Sequence, residues 1–155
     1  MSYARRLGAG PAQSVRAYAD IGLETRVLGA SPQRLITLLF DGARAAIGQA
    51  RLYLEQGNVA ARGAAISKAV EIIDGGLKAS LDMEAGGTLA ENLRSVYDAV
   101  IRSLLQANLK ADAGRLELAD RLLAEIGEAW RVAVDAPGPA PAPADAAGGP
   151  FSAHT

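Results

Sequence analysis

The sequence predicts an all-α fold: an antiparallel up-down four-helix bundle with an N-terminal cap segment and a disordered C-terminal tail. Apolar residues recur at the three- and four-residue spacing of amphipathic helices along most of the 155 residues. Aromatic residues make up only 5% of the chain while alanine is abundant, which favours closely packed helices over a sheet. The breaks between helical stretches are only a few residues long, and such short connections join antiparallel neighbours.

The first long helix is expected to begin after Ser31 and to end at Gln56. Ser31 can cap the free backbone N–H groups, and Pro32 suits a first helical position, where no amide hydrogen is required. Gly57 supplies a left-handed residue that ends the helix. Apolar side chains near its start sweep roughly 200° of the circumference, wider than the stripe of about 100° that one core face needs. This wide arc consists of Leu35, Ile36, Leu38, Leu39 and Phe40.

The second helix is expected over about residues 59–84. Asn58 can cap its first turn, and Gly86 with Gly87 can end it. Its glycine pair at 75–76 indicates either a close approach of another backbone or a neutral loosening of the helix, since glycine costs about 1 kcal/mol against alanine there. The predicted inner row is Ile66, Ala69, Val70, Ile73, Leu77 and Leu81.

The third helix is expected to start at a capping box, Thr88 with Glu91, and to run to about Lys110. It carries two apolar rows instead of one, so its arc also approaches about 180°. Either the bundle has a broad core that buries both rows, or apolar grooves outside it receive a helix or an extended peptide. The first row is Leu89, Leu93, Val96, Val100 and Leu104, and the second is Tyr97, Ile101 and Leu105.

The fourth helix, capped by Asp112, completes a bundle over residues 31–134. Residues 1–30 are expected to form a flexible arm and cap segment, and residues 135–155, rich in Ala, Pro and Gly, a disordered tail. An exposed groove is an aggregation liability unless it is covered. The predicted cap residues are Val15, Tyr18 and Leu23, and the predicted buried row of the fourth helix is Leu116, Ala119, Leu123, Ile126 and Trp130.

Composition argues against most chemistries. The net charge is −1 and basic residues are spread among acidic ones, which argues against nucleic-acid binding. There is no cysteine, and the single histidine, His154, lies in the expected tail, so we predict no catalytic, metal or cofactor site and no enzyme. Neither a membrane-spanning run nor a secretion signal is evident. We therefore expect a protein of the cytoplasm.

A series of sequence blocks runs in a fixed order from about residue 14 to residue 134. The blocks are AY at 17–18, ASPQRLITLLFDGA at 30–43, ARLYLEQGNV at 50–59, ISKAVEIIDGGLKASLD at 66–82, GGTLAENL at 86–93, VYDAVIRSLLQANLKADA at 96–113 and IGEAW at 126–130. In this series the chain resembles the flagellin export chaperone family, FliS. It departs where Ala99 replaces the family's usual tyrosine and where Ser103 stands in place of a frequent basic residue.

The resemblance implies an antiparallel bundle that binds the disordered C-terminal segment of flagellin, prevents premature polymerisation and delivers the subunit to the export gate. It also implies that the N-terminal segment covers part of the client groove, with Val15 and Tyr18 at the matching positions. The residues expected to contact the client are Leu39, Leu77, Leu81, Tyr97, Ile101 and Leu105.

An alternative interpretation is a structural or adaptor bundle that forms a homodimer through the same apolar surface. Light scattering distinguishes the two: self-assembly predicts a stable dimer without ligand, whereas a chaperone predicts a soluble free form that takes up a flagellin tail stoichiometrically. The sequence does not identify the flagellin or any further partner.

Overall fold

The computed structural model describes residues 31–135, which form four helices arranged in a ring. Helix α1 spans Pro32–Gln56 and α2 spans Val59–Ile72. Helix α2 continues into a π-helical turn, Ile73–Lys78, which we call the π turn. Helix α3 spans Met83–Lys110 and α4 spans Ala113–Asp135. Each helix packs beside the preceding one and α4 closes on α1, which confirms the predicted all-α up-down bundle. The predicted cap segment lies outside the described residues, as does the predicted tail apart from Asp135, which ends α4.

The connection between α1 and α2 follows the predicted capping chemistry. Ser31 Oγ accepts a hydrogen bond from the backbone N–H of Arg34 over 3.2 Å, which satisfies a free donor of the first turn. Gly57 adopts a left-handed φ of 72° and ends α1. Asn58 Oδ1 then accepts from the N–H of Ala61 over 3.1 Å and starts α2. The two helices are therefore joined by a tight reversal.

The second helix ends earlier than predicted. We expected one helix over 59–84, but regular α-helix stops at Ile72, the π turn follows, and the chain reverses before α3 begins. Gly75 and Gly76 lie in the π turn, where the lack of side chains weakens the tighter α-helical geometry. The Gly76 carbonyl accepts from the N–H of Ser80 over 3.0 Å and from its hydroxyl over 2.7 Å.

The third helix begins earlier than predicted, since Asp82 and not Thr88 is its cap. Asp82 Oδ1 accepts from the N–H groups of Glu84 over 3.1 Å and Ala85 over 2.9 Å. Gly87, with φ 54° and ψ −133°, kinks the helix one turn later. Thr88 therefore follows a kink inside α3, and the glycine pair that we expected to end one helix interrupts another.

The wide apolar arc of α1 is entirely buried. All five of its side chains belong to the central core cluster, and none exposes more than 7% of its surface. Helix α1 packs along α2 on one side and along α4 on the other, so two neighbours share the arc. The broad-core explanation therefore holds for this arc of α1, and the exposed apolar side chains lie outside it.

Small residues line the contact between α1 and α2. On α1, Ala43, Ala46 and Ala50 are buried, and on α2, Ala65 and Ala69 face the same core. Side chains of this size let two helix axes approach closely, and these two helices form the most extensive contact in the ring. The abundance of alanine thus has a structural use.

Helix α4 presents the predicted row to the core with one exception. Leu116, Ala119 and Leu123 are buried as expected, whereas Ile126 is only partly buried because Gly127 takes the position closest to α1. The indole N–H of Trp130, also buried, donates to the Gln33 carbonyl over 3.3 Å.

Within residues 31–135, none of the helices has both the length and the apolar character that crossing a bilayer requires. That same part of the chain brings together no group of three His, Cys, Asp or Glu side chains that could hold a metal ion.

Candidate functional site

An apolar row on α3 climbs from the core to the surface. Tyr97 is buried, Ile101 is partly buried, Leu105 is 52% exposed and Leu109 is 81% exposed. Residues four apart are offset by about 40° around a helix, so a row at this spacing turns gradually away from the core. The result is a strip of exposed apolar surface along the second half of α3.

This strip faces α2. Arg62 of α2 contacts Asn108 of α3, and a Cβ placed on Gly63 would lie 3.7 Å from Asn108 Nδ2. Val59 and Val70 lie four residues before and seven after Gly63, so helical spacing places them on the same side of α2, Val59 exposed and Val70 partly buried. The regular part of α2 contacts α3 far less extensively than it contacts α1, and the π turn makes the larger share of the contact with α3.

We infer that the two helices border a shallow apolar groove. We define the α2–α3 groove by its walls, which are Val59 and Val70 on α2 and Ile101, Leu105 and Leu109 on α3.

Polar bridges cross both ends of the α2–α3 groove. At one end the Arg62 guanidinium donates from Nε to Asn108 Oδ1 and from Nη2 to the Asn108 carbonyl, each over 3.0 Å. At the other end Lys78 Nζ donates to Asp98 Oδ1 over 2.7 Å and lies 3.3 Å from Asp74 Oδ1. The hydrogen bond to Asp98 raises the pKa of Lys78 above its usual value, although partial burial opposes the rise.

The predicted client-binding residues differ in burial: some are buried, some are partly buried and one is half exposed. Leu39 and Leu77 lie in the core, as does Tyr97, whose ring centroid is 6.5 Å from that of Phe40. Burial raises the pKa of the Tyr97 hydroxyl. The structure therefore places half of the six in one continuous core cluster.

The other predicted client-binding residues are more accessible. Leu81 and Ile101 are partly buried and pack against the core, and Leu105 is half exposed on α3. Leu81 lies in the turn after the π turn, whereas Ile101 and Leu105 share the strip on α3. The predicted cap residues lie outside the described residues, namely Val15, Tyr18 and Leu23.

Sequence reasoning missed several residues of the groove. Leu109 continues the four-residue spacing of the row, so its position could have been found by extending that row one step. Arg62 offered no such signal, because an isolated arginine on a helix is normally solvated, yet it is only 7% exposed. Asn108 and Val59 were missed because their importance depends on the neighbouring helix.

The two departures from the resemblance lie on α3. Ser103 is buried, and its hydroxyl donates to the Arg115 carbonyl over 2.9 Å, which ties α3 to the first turn of α4. Ala99 is partly buried beside Asp98 in the sequence. A small residue at 103 is therefore part of the contact between these two helices.

Comparison with known proteins identifies relatives along most of the chain. The family model described as flagellar protein FliS matches residues 14–137, a range that contains all four helices. The flagellar secretion chaperone FliS of Salmonella typhimurium is 54% identical over 120 residues, which cover 77% of this chain and 89% of the relative. That of Escherichia coli is 40% identical over 126 residues, covering 81% and 93%. The FliSB protein of Pseudomonas aeruginosa is 37% identical over 118 residues, covering 76% and 93%.

Proposed function

This chain belongs to the FliS family of flagellar secretion chaperones, and we propose that it binds the disordered C-terminal segment of flagellin in the α2–α3 groove. Binding keeps the flagellin subunit from polymerising in the cytoplasm and accompanies it to the flagellar export gate. No catalytic step is involved in this function. The protein acts by covering apolar surface of its client.

The exposed strip on α3 is the observation that carries this proposal. Leu105 and Leu109 expose about half or more of their surfaces next to the partly buried Ile101, and they lie beside a second helix. An amphipathic helix buries its apolar face in a groove of this kind through residues three and four apart. A disordered segment loses conformational entropy when it binds, and burial of apolar area, at about 25 cal/mol per Å², offsets that cost.

Among the residues predicted to contact the client, Leu105 and Ile101 are the two that lie on the strip. Leu105 is half exposed, and Ile101 is partly buried and packs against the core cluster. Leu81, partly buried in the turn after the π turn, is a further contact for the client. These positions offer an apolar surface that needs little rearrangement.

Leu39, Leu77 and Tyr97 belong to the core cluster, and we propose that they support the groove from beneath. Because they are buried, they shape the groove and contact the client only where the groups above them move aside. The cap segment competes with the client for the groove in the free protein, through Val15, Tyr18 and Leu23.

Calorimetric titration with a peptide of the flagellin C-terminus tests the proposal. Leu105→Glu places a charge on the strip and should weaken binding at least about tenfold, because an apolar anchor is lost and a charge is desolvated. Leu52→Glu on α1 is the matched control, since Leu52 is 51% exposed and Leu105 is 52% exposed. The control should bind as tightly as the wild type, and both variants should keep their helical circular dichroism.

Two results would contradict the proposal. One is wild-type protein that does not bind the peptide. The other is equal binding by Leu105→Glu and the wild type. If light scattering then showed a stable dimer that Leu105→Glu converts to a monomer, the same surface would serve self-association instead.

A further inference from the structure

The two sides of the α2–α3 groove are connected by long polar side chains. Arg62 reaches from α2 to α3 at one end, and Lys78 reaches from the π turn to α3 at the other. The contact between α1 and α2 is made by alanines instead, and those helices pack more extensively. Long side chains with fixed hydrogen-bond lengths hold two helices further apart than a row of methyl groups does.

The Arg62 bridge is rigid. Its planar guanidinium makes two hydrogen bonds to the single residue Asn108, one to the side chain and one to the main-chain carbonyl. Asn108 lies in the last turn of α3, where the helix dipole is negative, so the buried cation is stabilised there. Arg62 is only 7% exposed, and it therefore fixes this end of α2 against α3.

The Lys78 bridge is built differently. Lys78 Nζ lies between Asp74, one turn earlier, and Asp98 on the facing helix, and all three side chains are partly exposed. The π turn carries both Asp74 and Lys78, so the ion pair also ties this widened turn to α3. This bridge therefore lies beyond Ile72, the last residue of the regular part of α2.

The part of the groove that contains Ile101 and Leu105 lies between these two bridges, whereas Val59 and Leu109 lie just beyond the Arg62–Asn108 bridge. Asp98 and Asn108 are separated by about 15 Å along α3 at a helical rise of about 1.5 Å per residue. Ile101 and Leu105 lie on that interval, and Val70 lies on the facing stretch of α2. The interval corresponds to about three turns of a docked helix.

We infer that the bridges Arg62–Asn108 and Lys78–Asp98 set the separation of α2 and α3, and thereby the width of the groove that the client enters. Their members are positioning residues that act through the apolar walls and need not touch the client themselves. This inference rests on the function proposed above. It predicts that breaking a bridge weakens client binding more than breaking an ion pair of the same strength elsewhere in the bundle.

Asp98→Asn and Asp120→Asn form a matched pair for testing it. Each aspartate accepts from a cation on a neighbouring element, over 2.7 Å from Lys78 and over 2.8 Å from Arg44, but Asp120 joins α4 to α1 on another side of the bundle. We expect Asp98→Asn to raise the Kd for the flagellin peptide about fivefold and Asp120→Asn to change it less than about twofold. Asp98→Glu keeps the carboxylate and should restore most of the affinity. Equal effects of the two asparagine variants, measured by calorimetry, would overturn the inference.

A distance measurement tests the same inference without the client. The chain has no cysteine, so Ser67→Cys on α2 and Arg102→Cys on α3 can be spin-labelled selectively. Asp98→Asn, and Asn108→Ala at the other bridge, should broaden or shift the distance distribution between the labels, while Asp120→Asn should leave it unchanged. An unchanged distribution in both bridge variants would refute the role of the bridges. If the wild type did not bind the peptide, the proposed function would fail, and the distances would still decide whether the bridges set the groove.

Discussion

At the scale of single residues, close contact between α1 and α4 depends on the missing side chain of Gly127. A Cβ at this position would lie 3.2 Å from Phe40 Cγ, which is tighter than ordinary van der Waals contact. The Phe40 ring has little freedom to retreat, because it is 3% exposed and lies against the Tyr97 ring. Gly127 is therefore a packing residue of the core.

Gly127→Ala should lower the free energy of unfolding by about 1–2 kcal/mol, because overpacking of a dense core outweighs the gain in helix propensity. Gly48→Ala is the matched control. Gly48 lies inside α1, and a Cβ added there would have no neighbouring atom within 4 Å, so alanine should stabilise the protein by up to about 1 kcal/mol. Urea unfolding followed by circular dichroism measures both. Stabilisation by both substitutions would show that Phe40 yields to the added methyl group.

At the scale of the helices, α1 and α3 both end at a residue with left-handed backbone, but the residue types differ. Gly57 ends α1 with φ 72°, and Ala111 ends α3 with φ 51° and ψ 50°. Left-handed backbone costs a residue with a Cβ about 1 kcal/mol, whereas glycine adopts it freely. The end of α3 is therefore strained in a way that the end of α1 is not.

Ala111→Gly should raise the free energy of unfolding by up to about 1 kcal/mol, since relief of the left-handed strain exceeds the greater entropy of glycine in the unfolded chain. Gly57→Ala is the reverse change at the equivalent position and should destabilise by about 1 kcal/mol. Chemical denaturation of the two variants beside the wild type provides the measurement. A lower stability of Ala111→Gly would mean that the alanine methyl group makes a contact worth more than the strain.

The helix boundaries that were predictable from the sequence are those set by local chemistry. Ser31, Gly57 and Asn58 act through neighbours within a few residues, so their roles could be recognised in the sequence. The π turn could not be predicted in this way, because a periodicity of about 100° per residue assumes regular α-helix. It lies where Gly75 and Gly76 lack side chains, and Lys78 within it bonds to Asp98, a partner that only the fold brings near.

At the scale of the whole molecule, the apolar arcs predicted a bundle but not the location of its exposed surface. The arc of α1 and the second row of α3 looked alike in the sequence. In the structure α1 lies between two closely packed neighbours, whereas the regular part of α2 contacts α3 only sparingly. Which arc stays exposed is decided by these pairings, so Leu105 is accessible while Leu39 is fully buried.

Under the proposed function, the cap segment and the client would compete for the exposed strip. A tethered segment acts at a high effective concentration, and the apparent affinity for a client falls by the fraction of molecules whose groove is open. Residues 1–25 precede α1 closely enough in the chain for such a competition, and they contain the cap residues Val15, Tyr18 and Leu23.

If the cap segment occupies the groove as proposed, removal of residues 1–25 should lower the Kd for the flagellin peptide. It should also reduce the solubility of the free protein, because Leu105 and Leu109 would no longer be covered. Calorimetry and light scattering on the truncated and complete chains measure the two effects. Tyr18→Asp in the complete chain is the milder comparison, since it should weaken the cap without shortening the chain and shift the affinity in the same direction. Unchanged affinity and solubility after truncation would show that the N-terminal segment does not cover the groove. The protein would then tolerate the exposed strip on α3 without a cover from its own chain.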